Sequence, residues 1–234
     1  MAFDKDDFIY IPEAKLWFAK KRTHLLRTWP ETWKSLLEED LEMPTVEEFR
    51  VSLKYLRDSK EREHNDLYKE ITQVRKPWRA NQLDAYFEKR PDGMYLLTKN
   101  KTKAEKLQDC LMQNELSEIS LDDWISGVNV TIQGLPRKNI SEGDLNYWSP
   151  TTGRVADFSA LSTRAYLGCG RDPSGRYGVL GVFAVSHVSP EEKLEDKPGI
   201  KFPSTYKNPF EYDLPRIDKI ESLVYSGNVR SNER

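Results

Sequence analysis

Cysteine and histidine are scarce in this chain of 234 residues, which holds two cysteines and three histidines. Cys110 and Cys169 are too few for a disulfide framework, and they belong to no Cys-x-x-Cys or Cys/His metal set. A single disulfide between them stays open, although such cysteines ordinarily act as small buried hydrophobic residues. His24, His64 and His187 lie far apart in the sequence, without the spacing of a metal motif. We therefore expect no metal site and no cofactor.

Long apolar runs and strong net charge are missing as well. No run approaches the roughly 18–20 apolar residues that span a bilayer. The N-terminal sequence MAFDKDDFIYIP has no hydrophobic signal region. The formal net charge of −2 gives no electrostatic reason to expect a nucleic-acid or membrane partner. These absences predict a protein without membrane insertion that is cytoplasmic by default, with export by another route left open.

Familiar catalytic motifs are also missing. The chain contains no Gly-x-Ser-x-Gly nucleophile elbow. The glycines around Cys169 are not followed by the Gly-Lys-Ser/Thr ending of a phosphate-binding loop. We therefore do not expect an enzyme, and no residue is assigned a catalytic role.

One internal stretch lacks five residue types. Lys, Glu, Gln, Met and Trp are absent between Trp148 and Glu191. None of the five has a codon ending in C or T, whereas every residue type present in the stretch has one. The blocks VADF, which begins at Val155, and LGVFAV, which ends at Val185, are apolar or alternating, as strands are. The small, polar and glycine residues between the two blocks predict turns and loops.

The order of these residues carries a resemblance. The phrases V-A-x-F, A-Y-L-x-C and L-G-V-x-A-V, with small residues and a proline between them, resemble the variable region of proteins diversified by diversity-generating retroelements. In that family an error-prone reverse transcriptase miscopies the adenines of a template. Codons such as AAC are thereby changed to other codons that end in C or T. The phrase L-E-M-P-T-V-E-E-F, which begins at Leu41, is similar to one that opens the second helix of formylglycine-generating-enzyme-type domains. The resemblance implies a C-type lectin fold in its formylglycine-generating-enzyme-like form.

The resemblance also implies which residues bind a ligand and which residues pack. The contact residues are Ser159, Leu161, Thr163, Arg164, Gly168, Gly170, Arg171, Asp172, Ser174, Gly175, Arg176, Tyr177, Gly178 and Val179. The packing residues are Val155, Phe158, Ala165, Leu167, Cys169, Pro173, Leu180, Val182 and Ala184. Arg171, Arg176 and Tyr177 are the expected anchors, because Arg and Tyr dominate interface hot spots. We expect a protein ligand, and we expect simultaneous replacement of the three anchors by Ala to abolish binding while the melting temperature stays nearly unchanged.

The remaining sequence predicts an α+β fold, with helices mainly in the N-terminal part and twisted antiparallel strands and loops in the C-terminal part. Capping boxes open two helices at Thr28 and Thr45. A third helix is expected to end before Pro77, and Asp92 with Gly93 predicts a hairpin. Residues 1–188 form the expected lectin-like domain, with its variable region at about 155–185. Residues 189–234, rich in Pro and aromatic residues, predict an extended segment that packs on the domain or is partly flexible, and this segment departs from the family, whose variable region usually lies at the C-terminus.

Two alternatives stay open. The first is a formylglycine-generating-enzyme-like enzyme that acts on a peptide, with Cys169 in its site; a catalytic cysteine should have a depressed pKa. The second is a nucleic-acid-binding accessory protein that uses Arg75, Lys76, Trp78 and Arg79, where basic and aromatic residues alternate. A surface turn with Trp78 packed inward is the ordinary interpretation of that segment.

Overall fold

Two helices begin with the capping boxes that the sequence predicts. The computed structural model describes residues 4–98, 104–112, 117–161 and 163–188. The hydroxyl of Thr28 accepts a hydrogen bond from the backbone N–H of Glu31, whose carboxylate accepts one from the N–H of Thr28. Thr45 and Glu48 repeat this exchange. The described α-helices are α1 (Trp29–Glu38), α2 (Val46–Asp58), α3 (Arg62–Thr72) and α4 (Leu121–Ser126), and a short 3-10 helix spans Lys5–Asp7.

The described strands form two sheets. In chain order they are β1 (Phe8–Ile11), β2 (Leu16–Ala19), β3 (Arg79–Arg90), β4 (Gly93–Leu97), β5 (Glu105–Lys106), β6 (Ser117–Ile119), β7 (Leu145–Trp148), β8 (Arg154–Ala160), β9 (Ala165–Arg171), β10 (Leu180–Gly181) and β11 (Val185–Ser186). The smaller sheet has the order β1-β2-β11. The main sheet is curled and has the order β5-β4-β3-β8-β9-β7-β6, with β10 paired to β3. The predicted α+β class and the predicted hairpin between β3 and β4 are confirmed.

The strand predictions for the variable region are partly wrong. The small residues after VADF were predicted as turns and loops, but they include the seven-residue strand β9. Its side chains alternate between buried and accessible, so the strand signal was present beneath the glycines. The block LGVFAV divides into β10 and β11, because β10 pairs with β3 in one sheet and β11 pairs with β2 in the other. The sheet is also mixed and not purely antiparallel, since β10–β3 and β7–β9 are parallel pairs.

Aromatic side chains connect the helices to the sheet. Phe158 of β8 is fully buried, and its ring lies 5.4 Å from that of Phe49 on α2. The same ring stacks on that of Trp124 of α4 at 5.7 Å. The ring of Phe49 also lies 6.1 Å from that of Phe18 on β2. Burial of several such side chains, each contributing on the order of 2 kcal/mol, fixes one face of β8 against the helices and leaves the other face for the site.

The described residues all belong to the first of the two units into which contacts divide the chain. Three of the four described α-helices precede β3, which agrees with the predicted order of helices and strands. Contacts divide the chain at residue 191, and the segment predicted as extended, 189–234, lies outside the described residues. Among the described helices, none has the length and apolar character required to cross a bilayer.

Candidate ligand-binding site

A cleft of about 890 Å³ opens over the part of the main sheet formed by β8 and β9. Its walls come from these two strands, from the end of β7, from the segment before β3 and from the loop after β9. The lining residues are Lys76, Pro77, Trp78, Trp148, Arg154, Asp157, Ser159, Leu161, Tyr166, Gly168, Gly170, Arg171, Asp172 and Tyr177. The volume lies in the range typical of ligand sites in proteins.

Strand alternation divides the residues of β9 between the core and the cleft. Ala165, Leu167 and Cys169 are buried against the core. Tyr166, Gly168 and Gly170 therefore face the other side of the sheet, because successive residues of a strand point to opposite faces. The two glycines leave the middle of the strand without side chains, and the cleft occupies the space above them.

An ion pair between the buried Asp157 and the partly buried Arg171 forms the floor of the cleft. Asp157 is 4% exposed, and its Oδ2 lies 2.7 Å from Nη2 of Arg171. The hydroxyl of Ser159 donates a hydrogen bond to the same carboxylate. Burial opposes the charge of Arg171, but the hydrogen bond and the charge of Asp157 outweigh burial and raise the pKa of Arg171 above its ordinary value. The floor is thus a fixed charged group and not an apolar surface.

Aromatic side chains and a second ion pair form the rim. The Arg171 guanidinium lies 5.1 Å from the ring centroid of Tyr177, within cation–π range. Trp148 and Tyr177 are 47% and 43% exposed, which is unusual for large aromatic side chains. Arg154 Nη1 lies 2.9 Å from Asp172 Oδ2. Hydrogen bonds from the side chain and backbone of Ser174 to Asp172, together with Arg154, lower the pKa of that carboxyl.

Seven of the fourteen contact residues implied by the resemblance line this cleft, and seven do not. Those in the cleft are Ser159, Leu161, Gly168, Gly170, Arg171, Asp172 and Tyr177. The others are Thr163, Arg164, Ser174, Gly175, Arg176, Gly178 and Val179. Arg164, which follows Thr163, pairs with Glu118. The remaining five follow Asp172 in the loop after β9, where Arg176 pairs with Glu31 of α1.

The burial of these residues refines the predicted roles. Eight of the nine packing residues are buried, and Pro173 is partly exposed. Ser159 is only 3% exposed although it lines the cleft, so its hydroxyl supports Asp157 and offers little contact area. Arg171 also has a structural role, because it neutralises a buried carboxylate. We therefore withdraw the expectation that an Ala variant including Arg171 would keep its melting temperature.

Half of the cleft lining lies outside the implied contact residues, although Lys76 and Trp78 were named for the nucleic-acid alternative. These residues are Lys76, Pro77, Trp78, Trp148, Arg154, Asp157 and Tyr166. Asp157 and Tyr166 could have been found from strand alternation around Phe158 and Leu167. The segment from Lys76 to Trp78 could not, because its place depends on the pairing of Arg79 with Ala160 across the sheet.

The two cysteines lie in the core and do not line the cleft. Both are free thiols and both are buried. Burial raises the pKa of Cys169 well above its ordinary value and raises the pKa of Cys110 to about 11. This is opposite to the depressed pKa of a catalytic thiol. Within the described ranges no group of three or more His, Cys, Asp or Glu side chains is arranged to hold a metal ion.

Comparison of the chain with protein-family models, with curated proteins and with solved structures finds no match.

Proposed function

We propose that this chain is a receptor-like ligand-binding protein whose surface is diversified by retroelement-directed adenine mutagenesis, and that its α+β fold is a C-type lectin fold of the formylglycine-generating-enzyme-like type. The observation that carries the proposal is the convergence of seven implied contact residues on one cleft. Rigid strands hold the backbone of the cleft, so side chains on it can change without unfolding the domain.

The surface of the cleft supports a protein as the ligand. Trp78, Trp148 and Tyr177 stand at its walls, and aromatic residues are enriched at the centres of protein interfaces. Glycine and serine positions between them give adaptable contacts like those of an antibody paratope. A concave surface of this kind accepts a protruding loop or chain segment of the partner.

The history of the gene tests the proposal directly. We expect a near-copy of the codons for Val155 to Val185 close to the gene, with mismatches mainly where the copy has adenine, and a reverse-transcriptase gene beside it. The mismatched codons should include those of Gly170, Asp172 and Tyr177. Absence of both the repeat and the reverse transcriptase would contradict diversification of this chain.

A tolerance experiment tests the surface independently of the gene. One library randomises Gly170, Asp172 and Tyr177, and a matched library randomises Leu167, Cys169 and Leu180. We expect most members of the first library to fold and most of the second to unfold, because core positions lose packing when residue size or polarity changes. Equal losses in the two libraries would contradict a surface that is free to vary.

A further inference from the structure

Four cationic residues lie at the border of the cleft, where α3 ends and β3 begins. Arg75 and Lys76 precede β3, and Arg79 is its first residue. Arg22 comes from the loop after β2, and its side chain reaches the backbone beside Arg79. We refer to Arg22, Arg75, Lys76 and Arg79 as the basic cluster.

Backbone contacts attach the basic cluster to both ends of the implied contact surface. Arg22 Nη1 donates hydrogen bonds to the carbonyl oxygens of Val179 at 2.7 Å and Ala80 at 3.2 Å. The backbone N–H of Arg75 donates to the carbonyl oxygen of Leu161 at 3.0 Å. Leu161 lines the cleft, Val179 is an implied contact residue outside it, and Lys76 of the cluster itself lines the cleft, so the cluster borders the proposed binding surface.

The cluster carries more positive charge than its surroundings neutralise. Among the described residues, the ion pairs of the cluster all involve one carboxylate, that of Glu70, which contacts both Arg75 and Arg79. Lys76 is exposed and has no ion-pair partner among the described residues. Nε of Arg75 is buried without a hydrogen-bond partner. Burial, together with the charges of Arg79 and Arg75, lowers the pKa of Arg22 to about 10, which reflects this crowding of cations.

We propose that the basic cluster binds an acidic segment of the protein partner, a short stretch rich in Asp or Glu whose carboxylates contact Arg79 and Lys76 beside Trp78. This proposal rests on the proposed function, because it describes the partner of the same cleft. Carboxylates pair with guanidinium groups in a bidentate geometry, and they would relieve the repulsion among Arg22, Arg75 and Arg79. The positive charge is local, since the whole chain has a formal net charge of −2.

The surroundings of the cluster favour a peptide over a nucleic acid. A single-stranded nucleic acid needs a positive groove that follows its backbone over several phosphates. The cleft beside the cluster instead contains Asp157 and Asp172. Both carboxylates are paired with arginines, Asp157 with Arg171 and Asp172 with Arg154. The cleft therefore offers no continuous row of unpaired cations to a phosphate chain, whereas a short acidic segment can contact the cluster alone.

Calorimetric titration of the whole chain with hexaglutamate peptide tests the proposal. We expect binding at about 0.05 M salt that weakens strongly at about 0.5 M, where charges are screened within about 4 Å. Lys76→Gln and Arg79→Gln should each weaken binding about fivefold, and Glu70→Gln should strengthen it by a similar factor, because each change alters one charge near the peptide. Arg62→Gln is the matched control, since Arg62 lies at the opposite end of α3 and its side chain is 94% exposed.

Several results would overturn the proposal. These are no binding of hexaglutamate, an equal loss in the Arg62→Gln control, or weaker binding after Glu70→Gln. Tighter binding of a single-stranded deoxyoligonucleotide than of hexaglutamate would assign the cluster to nucleic acid instead. Hexaglutamate binding without a repeat near the gene would contradict the proposed function and leave the acidic-peptide site standing. Finding the repeat without hexaglutamate binding would contradict the acidic-peptide site and leave the proposed function standing.

Discussion

The carboxylate of Asp157 and the guanidinium of Arg171 form a largely buried ion pair 2.7 Å apart at the floor of the cleft. Removing one partner of such a pair leaves an uncompensated charge in a medium of low polarity. We therefore expect Arg171→Ala to lower the free energy of unfolding by about 3 kcal/mol, measured by urea denaturation. The double variant Asp157→Asn with Arg171→Met should recover part of that loss, because neither buried charge then remains.

Arg176 provides the matched control for Arg171. Its side chain is 62% exposed and pairs with Glu31 on the surface. Exposed ion pairs contribute little, so Arg176→Ala should change the free energy of unfolding by less than about 0.5 kcal/mol. If both arginine variants were equally stable, Arg171 would be a free contact residue and the structural role assigned to it would be wrong.

Gly168 and Gly170 form a second matched pair, two residues apart on β9. A Cβ at residue 168 would lie 2.9 Å from Oδ1 of Asp157, whose carboxylate cannot move away without leaving Arg171. A Cβ at residue 170 would meet only the Thr151 hydroxyl, at 3.8 Å.

We expect Gly168→Ala to cost about 1–3 kcal/mol through this overpacking. Gly170→Ala should be neutral or stabilise by up to about 1 kcal/mol, because alanine reduces the entropy of the unfolded chain. Urea denaturation of the two variants measures the difference. Equal stability would mean that the floor yields to side chains at residue 168, and that this residue varies as freely as residue 170.

Local signals were sufficient for the helices and insufficient for the cleft. The capping boxes at Thr28 and Thr45 were predicted correctly because all their atoms lie within four residues of sequence. β9 was missed because its glycines were interpreted as loop residues, although Ala165, Leu167 and Cys169 alternate as a strand does. The wall formed by Lys76, Pro77 and Trp78 depends on pairing between residues far apart in sequence, which no local pattern contains.

The buried thiol of Cys169 yields a prediction that separates the ligand-binding proposal from the enzyme alternative. Because burial raises its pKa, little thiolate forms near neutral pH, and a fully buried sulfur is inaccessible to reagents. We expect iodoacetamide to alkylate Cys169 much more slowly in the folded protein than in urea. Mass spectrometry of the labelled peptide measures both rates. Rapid alkylation in the folded state would favour a catalytic cysteine.

His187 connects the end of β11 to the start of α2. Its Nε2 lies 3.0 Å from Oε1 of Glu48, and its Nδ1 lies 3.7 Å from Oε1 of Glu42. The carboxylates of Glu42 and Glu48 raise the pKa of His187 from 6.5 to about 10. Between about pH 6.5 and 10, the imidazole of His187 is therefore charged in the folded protein and neutral in the unfolded chain.

This difference makes part of the stability depend on pH. Because the folded pKa of His187 is above its unfolded value, the contribution is fully present below about pH 6.5 and is lost as pH rises through about 10. Its size should be about 1 kcal/mol, since the side chain is 37% exposed and water screens the pair. The stability difference between the native chain and His187→Gln, from urea denaturation at a series of pH values, should shrink across that window. A difference that stays constant would mean that the pKa of His187 is the same in the folded and unfolded chain, and that Glu42 and Glu48 do not stabilise its charge.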